Sequence, residues 1–114
     1  IEVIRASVGN PEVIIGTGGG TRSVLCNQMK ADCLGIPFQV MESENATGIG
    51  AGMLAGAAEG LFSTPEDAIV RYVKKGRLYE PDPAKKSAYD EAYGAYLNCQ
   101  ASCQSLFARY QSEA

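Results

Sequence analysis

Apolar and polar positions along the chain alternate between short hydrophobic runs and amphipathic stretches. Val13-Ile14-Ile15-Gly16, behind the turn signal Gly9-Asn10-Pro11, is rich in β-branched residues and predicts a strand buried on both faces. A glycine-rich turn follows directly, Gly16-Thr17-Gly18-Gly19-Gly20-Thr21. Residues 23–34 then carry an apolar stripe at helical spacing (Leu25, Cys26, Met29, Cys33, Leu34), which Gly35 and Pro37 terminate. Pro37-Phe38-Gln39-Val40-Met41 is a second strand. Strand, turn, helix and strand in this order predict a parallel βαβ unit.

Further along, residues 46–61 read as a helix although Gly48, Gly52, Gly56 and Gly60 recur every four positions. Each interior glycine costs about 1 kcal/mol against alanine, so the row predicts close approach to a sheet or another helix. Thr64-Pro65-Glu66-Asp67 is a capped helix start with proline at its first position, and that helix is expected to reach Lys75 and stop at Gly76. Tyr79-Glu80-Pro81-Asp82-Pro83 reads as a proline-stiffened linker. The last helix, 84–109, aligns Tyr89, Tyr93, Tyr96, Cys99, Cys103, Phe107 and Tyr110 on one face, a stripe suited to core or interdomain packing. There is no internal repeat.

Composition narrows the functional classes. The 114 residues make one small domain's worth of chain, and 46% are apolar, as in ordinary globular proteins. Ten basic residues against thirteen acidic ones give net charge −3, which argues against nucleic acid and against a polybasic membrane patch. Histidine is absent, which removes His-activated nucleophiles and His-containing zinc sites. No stretch approaches the roughly 20 apolar residues that span a bilayer. The first residues lack a signal-peptide layout, and the missing initiator Met suggests a piece of something longer. Cys26, Cys33, Cys99 and Cys103 contain no Cys-x-x-Cys and read as buried or half-buried thiols in a reducing, cytoplasmic setting. Asn45-Ala46-Thr47 is read as a chance sequon.

The candidate chemistry lies at the glycine turn. Backbone N–H groups at a turn that opens a helix converge on an anion, and absent side chains let a phosphate or a planar base approach. The turn is not a P-loop, because Thr21-Arg22-Ser23 stands where Lys and Ser/Thr are needed. A dinucleotide fingerprint fits only with its last glycine missing, and the acid expected about 20 positions on would be Glu42 or Glu44. These two carboxylates could also bind Mg²⁺ or serve as acid and base, although a solvated strand end is the simpler reading. Asp32 reads as a surface charge.

The motifs together resemble those of FGGY-type carbohydrate kinases. Gly18-Gly19-Gly20-Thr21-Arg22-Ser23 and Asn27-Gln28-Met29-Lys30-Ala31-Asp32-Cys33-Leu34-Gly35-Ile36-Pro37 are similar to the signature near that family's C-terminal end. Glu42-Ser43-Glu44-Asn45-Ala46-Thr47-Gly48-Ile49-Gly50-Ala51-Gly52-Met53-Leu54-Ala55 resembles its strand-end acid and small-residue helix. Tyr79-Glu80-Pro81-Asp82-Pro83, Tyr89-Asp90 and the tyrosine-bearing helix match its closing segment, so the likeness runs from about Pro11 onward, nearest the xylulokinase-like branch.

The resemblance implies an α/β fold: part of an actin-like (ribonuclease H-like) ATPase domain, with parallel strands and three or four packed helices. It implies that residues 1–114 are the C-terminal part of a nucleotide-binding domain whose upstream partner domain is absent. Carried over, Gly18, Gly19 and Gly20 offer their backbone to the adenosine and phosphate side of ATP, with Thr21 and Ser23 at the helix opening. Some relatives have Asn at the Ser23 position, touching adenine, and many have an aromatic residue at Cys26. The sugar or polyol site, the Mg²⁺-associated phosphate loop and the catalytic aspartate of the family have no counterpart here. The expected function is the ATP-binding segment of a MgATP-dependent sugar kinase, inactive alone. The alternatives are a non-catalytic nucleotide module and a Rossmann-type dinucleotide binder. An unpaired strand edge and an exposed apolar helix face predict self-association.

Overall fold

A computed structural model describes residues 2–43 and 45–111. In chain order it has α1 (Glu2–Val8), β1 (Ile14–Gly16), α2 (Val24–Leu34), β2 (Phe38–Met41), α3 (Ala46–Ala58), α4 (Pro65–Tyr72), β3 (Lys75–Tyr79) and α5 (Lys86–Gln111), with 3-10 turns at Gly19–Thr21 and Pro83–Lys85. The predicted parallel pair is present: Ile14 lies opposite Phe38 and Gly16 opposite Val40. α2 is capped at its start by Ser23 and ended by Gly35 in the left-handed conformation (φ 63°), whose N–H returns to the Ala31 carbonyl. α1 has no counterpart among the sequence-based expectations.

β3 corrects the reading of residues 73–79. The helix expected to reach Lys75 ends at Tyr72, and Lys75-Gly76-Arg77-Leu78-Tyr79 pairs antiparallel with β2, Phe38 facing Tyr79. The sheet order is therefore β1-β2-β3, with one parallel and one antiparallel contact. Gly76 is a strand residue at a close approach, because a Cβ there would lie 3.2 Å from the Val40 carbonyl oxygen. β3 carries no apolar–polar alternation to read: Lys75, Arg77 and Leu78 are all exposed and Tyr79 is its one buried residue. Buried Gln39 bridges the irregular β2–β3 register, its Nε2 donating to the carbonyls of Val40 (2.8 Å) and Gly76 (2.9 Å).

The core is small. Ala31 of α2, Phe38 of β2 and Tyr79 of β3 form its centre, with Ile14 and Val40 packed against it. α2 therefore faces the sheet with a different side from the one expected. Asn27, Ala31 and Asp32 are buried, whereas Leu25 is 69% exposed and Met29, Cys26 and Cys33 are also exposed. The slim Ala31 lets the helix sit close to Phe38 and Tyr79. The two buried polar residues are tolerated because each meets a hydrogen-bonding partner there.

The glycine row of α3 does not form a continuous packing face. In the row only Gly56 is crowded from beyond its helix, by Phe62 of the α3–α4 loop, whose ring lies 2.6 Å from where a Gly56 Cβ would be. Gly48 faces the capping side chain of Asn45, and nothing lies within 4 Å of a Cβ at Gly52. α4 begins with the expected cap, Thr64 and Asp67 exchanging side-chain and backbone bonds. On α5, Tyr93 and Tyr96 stack on each other (centroids 6.2 Å apart) and are exposed rather than buried. The four cysteines are free thiols. Cys26, Cys33 and Cys99 are exposed, which corrects the expectation of buried or half-buried thiols, and Cys103 is half-buried as expected.

Candidate functional site

The glycine turn lies between β1 and α2, so both the sheet and the helix position it. Gly18 is the pivot: its φ of 78° and ψ of −173° suit glycine and would strain other residues. The chain then closes a 3-10 turn in which Thr21 N–H donates to the Gly18 carbonyl (3.1 Å) and Arg22 N–H to that of Gly19 (3.3 Å). As the first donors of a helical turn, the N–H groups of Gly19 and Gly20 have no acceptor within it. Both glycines are exposed, and a Cβ on either would meet nothing within 4 Å. The result is an open strip of backbone beside the start of a helix.

Thr21 and Ser23 serve the turn itself. Thr21 Oγ1 donates to the Gly18 carbonyl at 2.7 Å, so its proton is committed. Ser23 Oγ accepts from Cys26 N–H at 3.2 Å as the N-cap, which leaves its hydroxyl proton available for a ligand. Two residues given no role at this site in the sequence reading also reach the turn. Asn27 Nδ2 donates to the Thr21 carbonyl (2.8 Å) and Lys30 Nζ to that of Gly20 (2.9 Å). The signal for them was spacing: from Ser23, steps of four and three along a helix stay on one face. Thr17, next to the turn, also lines an apolar groove of about 210 Å³ with Ile15, Met41, Ile49, Met53 and Tyr72. Sites for drug-sized ligands run to roughly 300–1,000 Å³. The groove is smaller than that, and Thr17 is the residue that joins it to the turn.

The other candidates separate. Glu42 is exposed just after β2, its N–H joined to the Lys74 carbonyl, and Glu44 lies outside the described residues. Among the described residues no cluster of three or more His, Cys, Asp or Glu side chains could hold a metal ion. Asp32 corrects the surface-charge expectation. Its carboxylate is buried and accepts from Gln28 Nε2 (2.8 Å), Asp82 N–H (2.9 Å) and Lys85 Nζ (2.9 Å). The Asp82 N–H, then Gln28 and Lys85, hold its carboxyl down at about 2, against the opposing effect of burial. This knot fastens the Pro81-Asp82-Pro83 segment to α2, and Asn45 of the sequon caps α3 through Gly48 N–H (3.0 Å).

Residues 2–59, just over half of the chain, match the FGGY family of carbohydrate kinases, C-terminal domain. The chain belongs to this family. Autoinducer-2 kinase of Escherichia coli K12 is 31% identical over 83 residues, covering 73% of this chain and 16% of the relative. Xylulose kinase of Staphylococcus epidermidis is 26% identical, covering 84% of this chain and 19% of the relative. The crystal structure of xylulose kinase from Rhodospirillum rubrum superposes with a TM-score of 0.76 at 27% identity, over 93% of this chain and 22% of that one. That of ligand-bound xylulose kinase from Lactobacillus acidophilus gives 0.78 at 21% identity, over 89% and 20%. The chain thus spans about a sixth to a fifth of the length of its relatives. Its fold is part of the actin-like domain of a sugar kinase, and the FGGY motifs read from the sequence lie on the turn, α2, α3 and the segment from the end of β3 into α5.

Proposed function

We propose that this chain is the nucleotide-binding C-terminal part of an ATP-dependent kinase for a sugar or polyol hydroxyl. Gly18, Gly19 and Gly20 offer backbone to the adenosine and phosphate side of ATP or ADP, and Ser23 and Thr21 border the contact. The carrying observation is the open strip at Gly19 and Gly20, with N–H groups that the turn itself leaves without an acceptor and no side chain to displace, in a member of a carbohydrate kinase family. The residues present fit a nucleotide, and its Mg²⁺ is assigned to the rest of the kinase. Bound MgATP supplies the phosphoryl group.

Phosphoryl transfer rests on positioning and on charge stabilisation around the transferred group. One wall of a nucleotide site provides neither for the sugar hydroxyl, so the chain alone is inactive in this reading. The named relatives act on different substrates (autoinducer-2, xylulose), so the sugar is chosen by residues elsewhere in the kinase. Free thiols on the surface suit a reducing, cytoplasmic setting. Among the described residues no helix is long and apolar enough to cross a membrane.

An amide-resolved NMR titration with ADP, then with NAD, tests the reading. ADP should shift Gly18, Gly19, Gly20 and Ser23 while the amides of α4 and β3 stay put. A well-dispersed spectrum in which ADP moves none of the four would overturn the nucleotide assignment. A preference for NAD at the same amides would favour the dinucleotide alternative.

A further inference from the structure

The geometry assigns Asn27 and Lys30 as positioning residues that hold the glycine turn in its ligand-ready shape by gripping its carbonyls. This rests on the nucleotide reading of the turn and adds to it a reason why so glycine-rich a segment keeps one conformation. Glycine loses more backbone freedom on ordering than any other residue, so Gly18-Gly19-Gly20 needs restraint from outside. α2 provides it twice. Lys30 Nζ takes the Gly20 carbonyl at 2.9 Å, and Asn27 Nδ2 takes the Thr21 carbonyl at 2.8 Å.

Peptide planarity carries these grips through the turn. The Gly20 carbonyl shares its plane with Thr21 N–H, the donor that closes on Gly18. The Thr21 carbonyl shares its plane with Arg22 N–H, the donor that closes on Gly19. The carbonyls closed in this way share their planes with the N–H groups of Gly19 and Gly20. Each α2 side chain thereby fixes the direction of one N–H offered to the ligand.

Both side chains are themselves held. Asn27 is 1% exposed, and its Oδ1 is buried without a hydrogen-bond partner among the described residues. An amide with one orphan end is a costly way to fill a core position, and the donor on Thr21 is what an apolar residue of the same size would lack. Lys30 is half-buried with its ammonium 5.0 Å above the Phe38 ring, so a core aromatic steadies its reach.

The test compares the full chain with Lys30→Met, Lys30→Arg and Asn27→Leu. Met keeps the stem over Phe38 without the donor, Arg restores a donor, and Leu keeps the branched outline of Asn27, though bulkier, without its amide. Two quantities are read: the ¹⁵N heteronuclear NOE of Gly19 and Gly20 without ligand, and the ADP Kd. We expect Lys30→Met to leave the amide spectrum of the sheet unchanged, to mobilise Gly19 and Gly20, and to weaken ADP by roughly tenfold. Lys30→Arg should recover both readouts, which a general loss of stability would not. Lys30→Met suffices if Asn27→Leu does not fold. Failure of ADP to bind the unaltered chain sinks the nucleotide reading. Gly19 and Gly20 remaining rigid in Lys30→Met, free of ligand, sinks this assignment whatever ADP does.

Discussion

At the scale of single residues, Asp32 ties together parts of the chain about fifty positions apart: its side chain is 1% exposed and every bond it accepts is charge-assisted. Its carboxyl sits at about 2, below the ordinary 3.8, chiefly through Asp82 N–H and then Gln28 and Lys85. Between these values the unfolded chain holds a proton that the folded chain does not. Stability from this group is therefore complete above about 3.8 and is lost as pH falls through about 2. Thermal unfolding across acid pH should show that loss, and Asp32→Asn should both lower Tm at neutral pH and flatten the curve between 4 and 2. Superimposable pH profiles would show that the knot does not hold the fold. Asp32 was visible in the sequence, but its partners were not, because no local periodicity connects α2 to the segment before α5. The turn glycines were legible because φ-permissive residues cluster where backbone must do the work. Lys30 and Asn27 were not, since a lysine and an asparagine on a helix look the same whether they grip a carbonyl or meet water.

At the scale of elements, β1, α2, β2 and α3 were legible because each is bounded by its own chemistry: a turn, an N-cap, a left-handed glycine. β3 was not, because five residues with two cations and a glycine carry little strand signal until β2 presents an edge to pair with. The face of α2 was misjudged for a related reason, since partners for buried polar groups, rather than apolar periodicity, set its rotation. α3 makes the same point in a testable way, for its glycines share a period but not an environment. At Gly52 a Cβ meets open space, so Gly52→Ala should stabilise the chain by about 0.5–1 kcal/mol through helix propensity. At Gly56 the new methyl would strike the Phe62 ring, which packs edge-on against Tyr72 at 5.8 Å. Gly56→Ala should therefore destabilise by about 1–3 kcal/mol, as overpacking does. Denaturant melts of the two variants should move in opposite directions. Equal shifts would mean that the row acts as one unit, as a continuous packing face would require.

At the scale of the whole molecule, the radius of gyration is 19.6 Å, where a compact chain of this length would have about 13 Å. Much of the excess is α5, whose 26 residues extend about 39 Å and pack on α2 and the preceding 3-10 turn. The core centred on Ala31, Phe38 and Tyr79 is correspondingly thin, while Leu25, Leu54, Leu61 and Val70 are each more than two-thirds exposed. Among the described residues β1 also lies at an edge of the sheet, with one strand partner. Solved relatives with this fold are more than four times as long, so these faces are of the kind that a larger kinase covers. In isolation such apolar area and an open strand edge favour association of one copy with another. Light scattering coupled to gel filtration should therefore give a mass that rises with loading concentration, and a salt excluded from protein surfaces, such as sulfate, should strengthen the effect. A monomer at every concentration, with or without sulfate, would mean that the exposed apolar residues are too scattered to act as a surface.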